Sequence, residues 1–340
     1  MMKYEYLKAK DFIKYPKLRH NLWSFSDQEP QKAFVSVSHG TFETNSEDAS
    51  SFLEIRSLLT GNNTVSEIAQ KSQRQLDEIN NCINMLKEAG VLHLNIRPLN
   101  ELSRNEIVST LLSACELWSA QLAETHIATE ICDGDCSRET FIGWLLETYH
   151  FVKNFSDCLK FAADFAKGET KELITHYYHE EISHESFILD TLVKCGVSKI
   201  EVESSIPLVS TLGLINHLKN MFEFEPLTVL LVAAIIESAD VDESEIENFT
   251  LKVGNKYNLE FDALSSYFEH VRVDSKMEHG KLASKNQSLL SAIDLDKIHL
   301  IVNGLHDLKH FFDLQKLEIK SYYNQKGNYL PRQFVDFFAI

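Results

Sequence analysis

Four short stretches in the later part of this 340-residue chain carry the side chains that could do chemistry. The first is Gly143-Trp-Leu-Leu-Glu-Thr-Tyr-His150, where Glu147 sits among apolar neighbours and His150 shares its helical face. The second is His179-Glu-Glu-Ile-Ser-His184. Its Glu181 and His184 have the spacing that helical bundles use to present two ligands to one dinuclear site. In the third, Val232-Ala-Ala-Ile-Ile-Glu237, a carboxylate closes a very apolar helix. In the fourth, His270-Val-Arg-Val-Asp274, the two polar residues differ by about 40° around a helix and so share a face. Taken singly, each has an ordinary explanation. The histidines could be solvated, Glu147 could pair with a lysine, and Glu237 could open the acidic loop that follows it. Taken together, acidic and imidazole groups recur on four helices. A buried unpaired carboxylate is costly, and a metal cation removes that cost. Carboxylate and imidazole without cysteine suit iron or manganese.

Such side chains need helices to hold them. Amphipathic stretches run approximately over 103–131, 138–167, 169–194, 206–223, 226–239, 244–257, 260–286 and 293–324, with Asp/Gly-rich or Pro-containing breaks between them. Gly and Pro are scarce, at 12 and 6, which argues against an all-β fold. The expected architecture is mainly α, with a helical domain over 98–340 preceded by a small α+β domain over 1–97. The final segment, Tyr329 to Ile340, is apolar and is expected to pack back onto the body. Phe151, Tyr149 and Tyr178 are plausible cavity walls, although aromatics at helical spacing are more often plain core.

The first hundred residues read differently. Ala33 to His39 alternates like a strand. A short helix over Ser51–Leu59 stops at Gly61. Thr64-Val-Ser-Glu67 is a capping box that opens a second helix, and a third runs from about Leu76 to Ala89, ending at Gly90. Val91 to Leu94 then reads as a strand. Three short helices and a strand make a winged-helix pattern. A DNA reader would need a basic recognition helix, and the third helix here is net acidic. The segment from Phe52 to Ala69, followed by Leu86-Lys-Glu-Ala-Gly-Val-Leu, resembles the small peptide-recognition domains of ribosomal-peptide modification systems. That resemblance implies a peptide or carrier-protein substrate held through residues 1–97.

Over residues 103–325 the chain resembles the haem-oxygenase-like di-metal oxidases and oxygenases. The likeness rests on Glu-Thr-Tyr-His150, Glu181-Ile-Ser-His184 and His270-Val-Arg-Val-Asp274. The separations are also similar: 37 residues from Glu147 to His184, 53 from there to Glu237 and 33 on to His270. The resemblance implies a haem-oxygenase-like bundle of about seven helices, two Fe(II) ions and O2 as co-substrate, activated between the metals. Carried over by motif, one iron would take Glu147 and His184, and the other Glu181, Glu237, His270 and Asp274. The family places a last histidine three residues after the Asp, where this chain has Met277. His279 would lie about 180° from His270 on an ideal helix. A one-residue π-bulge would return it to register. Glu278 and His150 are the other candidates to complete the first site. The same fold also hosts cofactorless oxidases and thiaminase-like hydrolases.

Bulk properties bound the remaining classes. The formal net charge is −17, yet the first hundred residues balance 12 basic against 12 acidic side chains, so the whole excess lies beyond them. Such a body repels nucleic acid and anionic membrane. The most apolar run, Leu227–Ile236, is too short to span a bilayer, and no signal peptide is apparent. The six dispersed cysteines suit a reduced cytoplasm. Cys132 and Cys136 are the one close pair, and no second pair completes a zinc site. The expected activity is that of an O2-dependent non-haem iron oxidoreductase, with a homodimer compatible with the sequence. The alternatives are a cofactorless oxidase or hydrolase on the same fold, and a winged-helix regulator or scaffold.

Overall fold

The computed structural model describes residues 14–19, 23–25, 33–37, 40–44, 52, 54–93, 99–133, 136–238, 242–260, 262–328, 330–336 and 338. The chain forms two compact units, Met1–Ser103 and Arg104–Ile340.

In the first unit, strands β1 (Trp23–Phe25), β2 (Ala33–Val37) and β3 (Gly40–Thr44) form an antiparallel meander in the order β1-β2-β3. Trp23 pairs with Val35, and Val35 with Phe42. Helix α1 (Val65–Ser72) begins at the expected capping box, in which the Glu67 N–H donates to Thr64 Oγ1 (3.2 Å) and the Thr64 N–H to Glu67 Oε2 (2.7 Å). Helix α2 (Leu76–Glu88) follows, and Gly90 leaves it with φ +73°. Ile55, Ile68, Ile79, Leu86 and Val91 make the core. Two sequence expectations change here. The anticipated first helix ends in a 3-10 turn at Arg56–Leu58. The anticipated strand after α2 is, among the described residues, a single bridge from Leu92 to Leu18, and Leu94 lies outside them. The three strands precede the helices, so the winged-helix arrangement is not shown.

The second unit is helical: α3 (Arg104–Glu124), α4 (Ile127–Asp133), α5 (Arg138–Phe165), α6 (Gly168–Glu181), α7 (Glu185–Lys194), α8 (Lys199–Ser204), α9 (Val209–Phe224), α10 (Thr228–Ile236), α11 (Glu243–Tyr257), α12 (Ser265–Met277), the short α13 (Leu282–Lys285) and α14 (Gln287–Leu290), and α15 (Leu295–Tyr323). Helix α5 is capped by Ser137, which accepts from the Thr140 N–H, and it packs on α6, α7, α9 and α15. Helix α10 is apolar all round, and Thr228 to Ala233 are all buried, as befits an element enclosed by others. It packs against α3 and against the 3-10 turn His279–Lys281. A Cβ on Gly143 would lie 2.1 Å from the Tyr323 ring, so only glycine lets α5 approach α15 at that point.

Three stretches expected to be continuous helices are broken: 103–131 divides at Thr125–His126, and the other two breaks fall at candidate residues. The stretch 169–194 divides at Ile182–His184, where Ser183 takes φ +72°. The stretch 260–286 divides at Glu278, with φ +56°. The tail packs back only in part. The Ile206 N–H donates to the Arg332 carbonyl and the Arg332 guanidinium to the Pro207 carbonyl, whereas Phe334, Val335 and Phe338 are exposed. Among the described residues, no helix is long and apolar enough to cross a membrane.

Candidate metal centre

Three helix ends and one helix face converge in the second unit. Glu181 is the last residue of α6, and His184 lies in the break immediately after it. His270 and Asp274 project from one face of α12, as their spacing requires. Glu237 follows the last turn of α10. His279 stands just past the left-handed Glu278, in the turn that ends α12. Their ligand atoms form two close groups, one of His184, His270 and Asp274, the other of Glu181, Glu237 and His279.

Glu181 faces both groups. Its Oε2 is 3.4 Å from His184 Nδ1, and its Oε1 is 3.1 Å from His279 Nδ1. Asp274 stands between two imidazoles, with Oδ1 3.2 Å from His184 Nδ1 and Oδ2 3.3 Å from His270 Nδ1. Glu237 Oε2 is 2.9 Å from His279 Nδ1, and its Oε1 accepts from the Tyr177 hydroxyl. The Tyr177 ring packs on His279 with centroids 4.2 Å apart.

The electrostatics follow from burying three carboxylates together. Burial opposes ionisation of Glu181, but His184 and His279 outweigh it and bring the carboxyl down to about 2. Burial pushes Glu237 the other way, up to about 7, with the neighbouring Glu181 adding to the effect. Burial disfavours imidazolium at His184 and His279, yet the flanking carboxylates lift both to about 10. His270 is lowered, chiefly by burial. The carboxylates therefore favour a positive charge at His184 and His279, the positions between them.

The hydrogen-bond pattern tests whether a metal fits. Buried polar groups in folded proteins are nearly always hydrogen-bonded. Here Glu181 Oε1, His184 Nδ1, His270 Nε2 and Asp274 Oδ1 are all buried and make no hydrogen bond; their contacts to one another lack the geometry. Four such atoms from two stretches of chain, all oxygen or imidazole nitrogen, are a donor set for hard or borderline cations such as iron or manganese. The residues fit the metal.

The structure groups several of the expected ligands differently. Glu147 lies outside both groups. It is fully buried, but its carboxylate accepts from the Leu208 N–H (3.0 Å) and the Tyr323 hydroxyl (2.9 Å). The pairing of ligands also differs. His184 stands with His270 and Asp274, and Glu181 with Glu237 and His279. His279 arrives by a left-handed break at Glu278, not by a π-bulge. Glu278 is half-buried and pairs with Lys281 and Lys285. His150 is buried against Ser205 Oγ, 2.9 Å away. Sequence reasoning passed over Tyr177 and Glu180. Tyr177 stands four residues before Glu181 and three before Glu180, the helical spacing that was the available signal. It also passed over Gly280, where a Cβ would lie 2.4 Å from the Glu237 carbonyl oxygen.

A cavity of about 530 Å3 reaches Glu181, Glu237, His270 and Asp274. Its other walls are largely apolar and include Trp144, Phe151, Phe155, Phe312 and Ile319. Phe151 thus lines it as expected. Tyr149 packs in the core and Tyr178 lies beside His179.

Comparison with known proteins bears on this arrangement. Residues 142–295, a little under half of the chain, match the model of a family described as iron-containing redox enzyme. All seven candidate residues from Glu147 to His279 fall inside that match. A domain of unknown function with a haem oxygenase-like fold from Shewanella denitrificans OS217 is 19% identical. The alignment covers 62% of this chain and 90% of that one, with a TM-score of 0.51. The fold is haem-oxygenase-like. Two TenA-type structures are more distant. A TenA family transcription regulator from Silicibacter sp. TM1040 is 12% identical (62% and 96% covered, TM-score 0.43), and a TenA homologue from Pseudomonas syringae pv. tomato DC3000 is also 12% identical (67% and 98%, TM-score 0.47). No curated protein matches the chain. The haem-oxygenase-like bundle is thus shared with the Shewanella domain, while its chemistry must be argued from its own side chains.

Proposed function

We propose that the helical unit is a non-haem iron oxidoreductase that uses O2 and holds two Fe(II) ions. One would sit at His184, His270 and Asp274, the other at Glu181, Glu237 and His279. The observation that carries this reading is Glu181, a single buried carboxylate whose two oxygens face a histidine of each group. When bound, the ferrous pair supplies the electrons that reduce O2 and so the oxidising power for a substrate C–H, C–C or N–H bond. The chain's own residues do the rest. Three carboxylates and three imidazoles hold the ions, with coordination positions left for O2 and substrate. Tyr177 orients Glu237, and the aromatic walls keep the adjoining cavity poor in water. A metal-free oxidase or hydrolase would leave His270 Nε2 buried without a hydrogen bond, at a cost of ~1–3 kcal/mol, and Glu181, His184 and Asp274 joined only by ion contacts without hydrogen-bond geometry. The test is anaerobic loading with Fe(II), removal of loose metal, and measurement of iron per chain and of O2 uptake on mixing. Two irons per chain with O2 consumption is the expected result. Wild-type protein that retains no iron sinks the reading.

For the N-terminal unit we propose that the outer edge of β3 receives an extended peptide or carrier-protein segment. Strand β3 pairs with β2 on one side, and among the described residues no strand covers the other. An open edge offers backbone donors and acceptors for strand addition. Deleting residues 1–97 is expected to abolish turnover of the native substrate while leaving iron content intact. Undiminished turnover by the truncated chain would end this proposal.

A further inference from the structure

His279 differs from the other two histidines of the centre in how it is held. His270 is fixed by helix α12, and His184 by the short link between α6 and α7. His279 stands beyond a left-handed residue, so no regular helix sets its ring angle. Contacts from other elements must set it instead.

Those contacts come mainly from one face of α6. Tyr177 supplies ring packing and orients Glu237. Three residues on, Glu180 places Oε2 3.1 Å from His279 Nε2. The opposite ring nitrogen, Nδ1, faces Glu237 Oε2 at 2.9 Å and Glu181 Oε1 at 3.1 Å. Both nitrogens of a fully buried imidazole therefore meet carboxylates, and only Nδ1 faces the cluster. Glu180 is itself partly exposed, and its other oxygen is 3.3 Å from His176 Nε2 on the solvent side of the same helix. Among the contacts of the three histidines, no other carboxylate lies on a nitrogen that points away from the ligand groups.

An imidazole can ligate a cation through Nδ1 only if that nitrogen keeps its lone pair. The proton must then sit on Nε2, and an acceptor there fixes both tautomer and ring orientation. We propose that Glu180 is the positioning residue for His279, accepting its Nε2–H so that Nδ1 is presented to the cation held with Glu181 and Glu237. This rests on the reading of the two groups as metal sites. The role is specific to one of the two ions, because the His184–His270–Asp274 group makes no contact with Glu180.

The test uses the full-length protein, loaded anaerobically with Fe(II) and separately with Co(II), whose visible spectrum reports its ligand atoms. Both are titrated against a chelator of known affinity. Glu180→Ala is expected to weaken one metal equivalent by ~10–100-fold and to change its Co(II) spectrum, with the other equivalent unaffected. Glu180→Leu, which fills the same space without an acceptor, is expected to match it. Glu180→Gln, whose amide oxygen still accepts from Nε2, is expected to restore most of the affinity and the wild-type spectrum. Two equivalents of wild-type affinity in Glu180→Ala and Glu180→Leu would overturn the assignment, as would Glu180→Gln proving as weak as they are. Wild-type protein that takes up neither metal would overturn the metal reading itself, and this assignment with it.

Discussion

Glu181→Ala is expected to remove both metal equivalents, whereas Glu237→Ala and Asp274→Ala each weaken chiefly one. The asymmetry follows from geometry. Glu237 is near His279 alone among the candidate histidines, and Asp274 lies between His184 and His270. Glu181 touches a histidine of each group, and it stays ionised in the buried site because those two imidazoles flank it. Its loss takes an oxygen from each site and separates two sets of ligands that share it. Iron per chain after anaerobic loading reads the outcome. An affinity loss exceeding the ~10–100-fold of an outer-shell residue is expected at both equivalents in Glu181→Ala. If Glu181→Ala lost only one equivalent, the carboxylate would belong to a single ion, and the shared-ligand arrangement would be wrong.

Glu147→Gln is expected to stabilise the protein at neutral and alkaline pH and to leave it unchanged in acid. Burial raises the Glu147 carboxyl from 4.5 to about 7, although hydrogen bonds from Thr211, the Leu208 N–H and Tyr323 oppose the shift. A carboxyl with a raised folded-state value favours the protonated native state. Its stabilising contribution is therefore complete below the unfolded value near 4.5 and is lost as pH rises through 7. Above that, a charge is buried without a cation. At ~1.4 kcal/mol per pKa unit the difference amounts to on the order of 3 kcal/mol. Gln fills the same space and never charges. Denaturant unfolding of the two proteins at pH 4.5 and pH 8 checks it. The curves should nearly coincide at the lower pH and separate at the higher, with Glu147→Gln the more stable. Equal stability at pH 8 would mean that Glu147 keeps a counter-charge, as a metal ligand would.

The same residue shows what could and could not be read from the sequence. An apolar turn around Glu147 signals burial, and burial is what the structure has. Whether a buried carboxylate meets a cation or a set of N–H and O–H donors depends on residues about 60 and 176 positions away, Leu208 and Tyr323. No local pattern contains that information. His270 with Asp274 was legible because one helix face carries both, whereas Glu181 and His184 were singled out by an i, i+3 spacing and meet across the break at Ser183 instead of on a continuous helix. Glu237 was legible as a polar end to an otherwise enclosed helix. The helix breaks were not, because Ser183 and Glu278 adopt positive φ without being the glycine or asparagine that usually announces it. In the N-terminal unit the capping box was explicit in Thr64 and Glu67, and the β2 alternation was visible. The meander around β2 was not, since strand order depends on pairing between segments.

Glu278 has a consequence for how chains of this kind vary. In the pattern this chain resembles, three residues separate the aspartate from the last histidine, a distance that one continuous helix dictates. Here the interval is five, and the surplus is taken up outside the helix, where His279 is located by its neighbours and Gly280 lets the turn lie against the backbone of Glu237. The junction therefore acts as an adjustable joint, in which chain length is decoupled from ligand placement. A change of a residue or two in the link between Asp274 and His279 is expected to leave His279 in place wherever the packing that receives it is kept.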